Sequence, residues 1–202
     1  MDEPAVLYSP RAWVADQKNY VANDWRHSES WPPTGAVQRK LYLTDDGRLT
    51  ADGPDGEARR YLYDPQRPIP TLGGRNMLIE GGPRDQLPVQ ALPNYGLSYR
   101  SKVLDQELTI AGSVEVTLNI QSNCRDTDFV AKLIELHADG RAMLLMDGVV
   151  RAMYRDAAAG PQQLAPDQVY ADDSSRRYPS YLYRRQPPAS GYHQQQFSTP
   201  CP

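Results

Sequence analysis

The chain has 202 residues, a formal net charge of -3, 40% hydrophobic and 23% charged residues. That is enough length for one domain with a real core, and enough apolar content to exclude a disordered chain. The mild acidity excludes nucleic acid or a polybasic membrane surface as the main partner, and no apolar run approaches membrane-spanning length. Eighteen prolines and an aromatic set dominated by tyrosine point to an all-β protein rich in turns.

In chain order, the first thirty residues read as polar and irregular, ending in "WRHSESWPP". The N-terminus "MDEPAVLYSP" carries neither the basic nor the apolar region of a leader, so a cytoplasmic protein is expected. "RKLYLT" (39–44) reads as a strand closed by the turn "DDG", and "ARRYLYD" (58–64) as a second strand. "PQRPIPTLGG" is a loop, because its prolines cannot sit in a central strand. "GLSYRS" begins a stronger run of strands. In "SVEVTLNIQS", Val114, Val116, Leu118 and Ile120 share one face and should point inward; Glu115, Thr117, Asn119 and Gln121 share the other. The same count assigns Phe129, Ala131 and Leu133 of "DFVAKLIELH" to the core. Asp139-Gly140 signals a hairpin into "RAMLLMD" and "VVRAMYRD". After Tyr170 no periodicity is sustained, and the segment reads as a polar, basic tail.

Catalytic signals are sparse. The nucleophile-elbow pattern G-x-S-x-G does not occur. The three histidines, His27, His137 and His193, have no metal-ligand spacing, and there is no C-x-x-C. His137 should be exposed at a strand end. Asp126 and Asp128 in "RDTDF" could hold an oxygen-ligated cation; the simpler reading is a turn whose carboxylates accept bonds from local N–H groups. Trp25 and Trp31, with Trp13 nearby, could form a sugar-stacking platform or a plug against a neighbouring domain. Cys124 and Cys201 make no disulfide framework, and reduced thiols are expected. No catalytic, cofactor-binding or metal-binding residue is assigned, and no cofactor is expected.

Three segments together resemble one family. "DTDFVAKLIELHADGRAMLLMDGVVRAMYRD", "YLYDPQRPIPTLGG" and "NDWRHSESWPP" are similar, in the same order, to blocks in the C-terminal domain of cocaine-esterase-like and X-prolyl dipeptidyl-peptidase-like serine hydrolases (CocE/NonD). The resemblance implies a jelly-roll β-sandwich of the galactose-binding-like type, packed on an α/β-hydrolase domain that carries the whole Ser-Asp-His triad. It divides the chain into a lead-in (1–22), a jelly-roll domain (23–170) and an aberrant tail (171–202). It departs from the family at "LYSPRAWVADQ", where members usually show a Val-Met-Gly-like strand. The implied function is that of a detached, non-catalytic C-terminal domain of such a hydrolase, inactive alone, whose partner is the α/β-hydrolase domain. The alternatives are a stand-alone carbohydrate-binding module, or a subunit that completes a separately encoded hydrolase domain. The family's last strands end in a segment like I-S-S-S-N-F-P. "HQQQFS", read one nucleotide on, permits I-S-S-N-F-P, and "YRRQPPASG" permits T-A-G-N-R-L-R-L-A. The tail is therefore expected to be a shifted-frame version of those strands, irregular in structure, leaving the sandwich short of its last strands.

Overall fold

The computed structural model describes residues 5–14, 19–22, 24–53, 55–93, 95–156, 158–166, 168–172, 178–179, 183–184 and 193–198. The elements begin with β1 (Val6–Tyr8), β2 (Arg11–Val14), β3 (Asn19–Ala22), β4 (Arg26–Ser28), β5 (Tyr42–Leu43) and β6 (Leu49–Thr50). A single helical turn α1 (Leu87–Gln90) precedes β7 (Leu97–Arg100), β8 (Thr109–Ile110), β9 (Ser113–Val114) and β10 (Leu118–Ile120). The long hairpin β11 (Asp128–Leu136) and β12 (Ala142–Arg151) follows, then a 3-10 turn at Ala152–Tyr154. β13 (Tyr170–Asp172), β14 (Tyr178–Pro179), β15 (Tyr183–Arg184) and β16 (His193–Ser198) complete the set. The all-β class expected from the sequence is what the chain adopts.

The β11–β12 hairpin is the spine. Its turn closes through His137 N–H to Arg141 O (2.9 Å) and Gly140 N–H to His137 O (2.9 Å). Gly140 sits at φ 89°, a left-handed conformation that suits a residue without a Cβ. Pairing runs from Asp128↔Arg151 to Leu136↔Ala142, with a register shift between Leu133 and Ile134. That shift is a β-bulge, which re-aims the side chains beyond it.

The expected alternation in 114–121 holds. Val114, Val116 and Leu118 are half-buried, Ile120 is buried, and Glu115, Thr117, Asn119 and Gln121 are exposed. Val116, Leu118 and Ala131 pack beside Leu49 and Tyr99, while Phe129 packs by Ile120, Ala152 and Leu164. Phe129, Ala131 and Leu133 are thus in the packing but only half-buried. The deepest residues of β11 have the other parity: Ile134 is 0% exposed and clusters with Leu136, Ala142 and Leu144. A period-2 count assumes one solvated face, whereas β11 is covered on both.

The second cover is the stretch from Leu72 to α1. Gln86 is fully buried. Its N–H donates to Ala142 O (2.7 Å), and its side-chain amide donates to Leu72 O (2.8 Å). Leu144 N–H donates to Arg84 O (3.0 Å), and Ala142 N–H to Asp85 Oδ1 (3.0 Å). These bonds occupy the outer edge of β12, which would otherwise present unpaired backbone groups. Lys132, only 8% exposed, donates from Nζ to Gln86 Oε1 (2.9 Å). Burial pushes its pKa down, and nearby Asp147 opposes that shift.

Several expectations are corrected. The first thirty residues are not irregular: β1 pairs with β4, and β2 with β3. Of the two strands expected at 39–44 and 58–64, only Tyr42–Leu43 forms one, against β6 across the "DDG" turn. Residues 58–64 join no strand ladder. The tail is not irregular throughout. β13 pairs with β10, β14 with β9, and β15 with β8 and β2. β16, the "HQQQFS" segment, lies in the middle of the sheet β12-β11-β16-β7. β16 thus supplies a central strand of that sheet, where the tail was expected to be irregular. The physical reason is that a slot between two strands offers backbone donors and acceptors on both sides. Any extended segment fills it, apolar or not.

Candidate functional site

The residues singled out in the sequence are taken in turn where the structure describes them. Asp126 is engaged in structure: its Oδ1 accepts from Thr127 N–H (3.0 Å) and Met153 N–H (3.0 Å), and its Oδ2 from Arg151 Nε (2.5 Å). It ties the entry of β11 to the exit of β12, which is the turn role rather than a cation site. The same bond raises the pKa of Arg151. Asp128 opens β11 opposite Arg151. Among the described residues no group of three or more His, Cys, Asp or Glu gathers that could hold a metal.

His27 is exposed on β4, opposite Leu7 of β1. His137 departs from expectation. Its side chain is 9% exposed and its Nε2 lies 3.5 Å from Glu135 Oε2, itself in a side chain 7% exposed. Sequence reading missed this pair because it treated the strand end as solvated; the i,i+2 spacing of Glu135 and His137 on one strand face was the available signal. His193 lies in β16; its side chain and that of Trp13 fall outside what is described.

Trp31 meets Tyr8 edge-to-face at 5.9 Å between ring centroids. Trp25 is 68% exposed. Cys124 is disulfide-bonded, which corrects the expectation of reduced thiols. The chain's other cysteine, Cys201, lies outside the described residues.

An open cleft of about 1790 Å³ lies between the 36–65 limb and residues 108–124. Its walls carry cations laid on rings: Lys40 Nζ is 5.0 Å from the Tyr42 centroid, and Arg59 4.8 Å from that of Tyr99. Arg59 also donates to Ser98 O (2.8 Å). The volume exceeds the roughly 300–1,000 Å³ of small-molecule pockets. This is a gap between two layers, with the limb resting loosely on the sheet. The contacts described on its walls are packing and weak cation–π contact.

No helix among the described residues is long and apolar enough to cross a membrane.

Comparison with known proteins places these features in a family. The chain is 33% identical over 160 residues to cocaine esterase of Rhodococcus sp. (strain MB1 Bresler), an alignment covering 73% of this chain and 28% of that protein. It spans about a quarter of the length of the curated relatives it matches. Among solved structures it superposes on an alpha-amino acid ester hydrolase with a TM-score of 0.67, 24% identity, 87% of this chain and 32% of the other. It superposes on an aminopeptidase from a marine sediment archaeon, Thaumarchaeota archaeon, with a TM-score of 0.71, 23% identity, 98% of this chain and 34% of the other. At those identities the structures speak for the fold. Residues 3–172 match the X-Pro dipeptidyl-peptidase C-terminal non-catalytic domain, starting well ahead of residue 23. With that match running across most of its length, the chain belongs to the X-Pro dipeptidyl-peptidase C-terminal non-catalytic domain family.

Proposed function

We propose that the chain serves as the non-catalytic C-terminal domain of a cocaine-esterase-like serine hydrolase, with the galactose-binding-like jelly-roll architecture of that family. Catalysis would belong to an α/β-hydrolase domain supplying the Ser-His-Asp set, through an acyl-enzyme on an ester or amide carbonyl. This domain would wall the cleft and cover an apolar face of its partner, where water exclusion strengthens the electrostatics of the oxyanion. The observation that carries the reading is the match over 3–172 to a domain described as non-catalytic. The absence of an elbow motif from the sequence accords with it. The purified chain should hydrolyse chromogenic esters and X-Pro anilides at background rates. Turnover abolished by a serine-directed inhibitor would overturn the proposal.

A carbohydrate-binding role is the second reading, favoured by the exposure of Trp25 (68%) and Trp31 (46%). A glycan array that shows binding lost on Trp25→Ala would establish it; an empty array would remove it. A cytoplasmic protein would keep Cys124 reduced, whereas its disulfide bond favours an oxidising compartment. Thiol alkylation of the chain in fresh lysate separates the two.

A further inference from the structure

We infer that the loop between Gly74 and Gly82 is the anchor by which this domain docks, its apolar tip Met77-Leu78-Ile79 seating in an apolar socket of the hydrolase domain. Met77 is 99% exposed, Leu78 98% and Ile79 47%. Scattered exposed apolar residues need no explanation, but three in a row at a loop tip mark an interaction surface.

The loop is held in shape without support for its tip. Gly74 N–H donates to Gly82 O (2.9 Å) and Gly82 N–H to Gly74 O (3.0 Å), closing the neck. Backbone conformation favours glycine there, with φ 78° at Gly74, and the Asp147 carboxylate lies close enough that an added Cβ would displace it. Asn76 braces the tip, its Nδ2 donating to Gly73 O (2.7 Å) and its Oδ1 accepting from Ile79 N–H (2.9 Å). Glu80 pairs with Arg84. From Arg84 to Gln86 the chain is bonded to the edge of β12, so the neck is continuous with the rigid hairpin. A preorganised loop that presents apolar side chains saves ordering entropy on docking.

The size of the tip selects the occupant. Three side chains bury at most a few hundred Å², short of the roughly 1,000 Å² that free partners need. A small anchor of this kind holds only when its partner is tethered or otherwise kept at high local concentration. The relatives carry about three quarters of their length beyond the matched part, in the same polypeptide. A domain joined in that way is the occupant, rather than a second copy of this chain. The inference rests on the reading of the chain as a docked hydrolase domain.

The test is a chimera in which this chain replaces the matched part of Rhodococcus cocaine esterase. It is compared with Met77→Ser/Leu78→Ser and with Val37→Ser, an 88%-exposed apolar control in a different loop. The tip variant should leave the unfolding midpoint of the isolated chain unchanged, because neither residue is packed. In the chimera it should speed proteolytic cleavage at the domain junction about tenfold, as loss of an interface hot spot does; Val37→Ser should not. Equal protection of wild type and tip variant would overturn the anchor while leaving the docked-domain reading intact. A chimera whose junction is unprotected even with the wild-type tip would overturn both. Sedimentation of the isolated chain as a dimer that the tip variant dissociates would assign the tip to a second copy and overturn the inference.

Discussion

The β11–β12 hairpin and the 36–64 limb are written in similar residues but fold differently. "DFVAKLIEL" and "ARRYLYD" both mix β-branched or aromatic residues with charges. β11 pairs with β12 on one edge and β16 on the other, and both its faces are covered. Residues 58–64 share no ladder, and Leu62 remains 74% exposed. Arg59, Tyr61 and Tyr63 are half-buried while Arg60 and Leu62 are exposed, so the alternation survives without the hydrogen bonds. A strand pattern records which side chains can face a core. Whether the backbone enters a sheet depends on an edge being free at the right place, which is a long-range property.

The comparison breaks most sharply under core truncation. Ile134→Ala should cost about 4 kcal/mol in urea denaturation, since the side chain is fully buried among Leu136, Ala142 and Leu144. Leu62→Ser on the limb should stay within about 0.5 kcal/mol. Similar losses at the two sites would mean the limb packs as tightly as the hairpin.

Next in size is the buried polar contact behind β11. Gln86→Ala leaves the Lys132 ammonium without its 2.9 Å acceptor and should cost about 2–3 kcal/mol. The pH dependence has a definite sign. Burial holds the Lys132 pKa below 10.5, so between the folded value and 10.5 the unfolded chain binds more protons. Stability from this group therefore rises with pH through that window, and its penalty is fully present below it. Lys132→Met should flatten the alkaline rise. An unchanged slope would show that the ammonium is solvated.

The smallest effect concerns Tyr95. Its hydroxyl is buried with no hydrogen-bond partner among the described residues, and burial pushes its pKa up. Tyr95→Phe should be neutral or stabilising by up to about 1 kcal/mol, because it removes a desolvated group that gains nothing in return. A clear loss in thermal unfolding would reveal a partner for the hydroxyl.

How far the sequence could be read follows from the same contrast. The alternation of 114–121 and the Asp139-Gly140 turn were legible because they are local, and the hairpin formed where the pattern placed it. Ile134 and Leu136 were missed because a second covering layer cannot be seen in a period-2 count. Gln86 gave no signal of burial, since its partners Leu72, Lys132 and Ala142 come from three separate stretches. "HQQQFS" was read as irregular because it lacks apolar alternation, yet it lies between β11 and β7 on backbone pairing. The family resemblance rested on ordered blocks of motif and was the most informative feature of the sequence. The side-chain pairing of Glu135 with His137 depended on burial that no motif announced.

The central claim, a domain without its own nucleophile, is tested most directly by active-site labelling. The purified chain would be treated with a fluorophosphonate probe, and any adduct located by mass spectrometry alongside an ester-turnover assay. The account predicts no stoichiometric adduct on any serine and turnover at the buffer rate. One serine labelled to completion, with parallel loss of turnover, would contradict it.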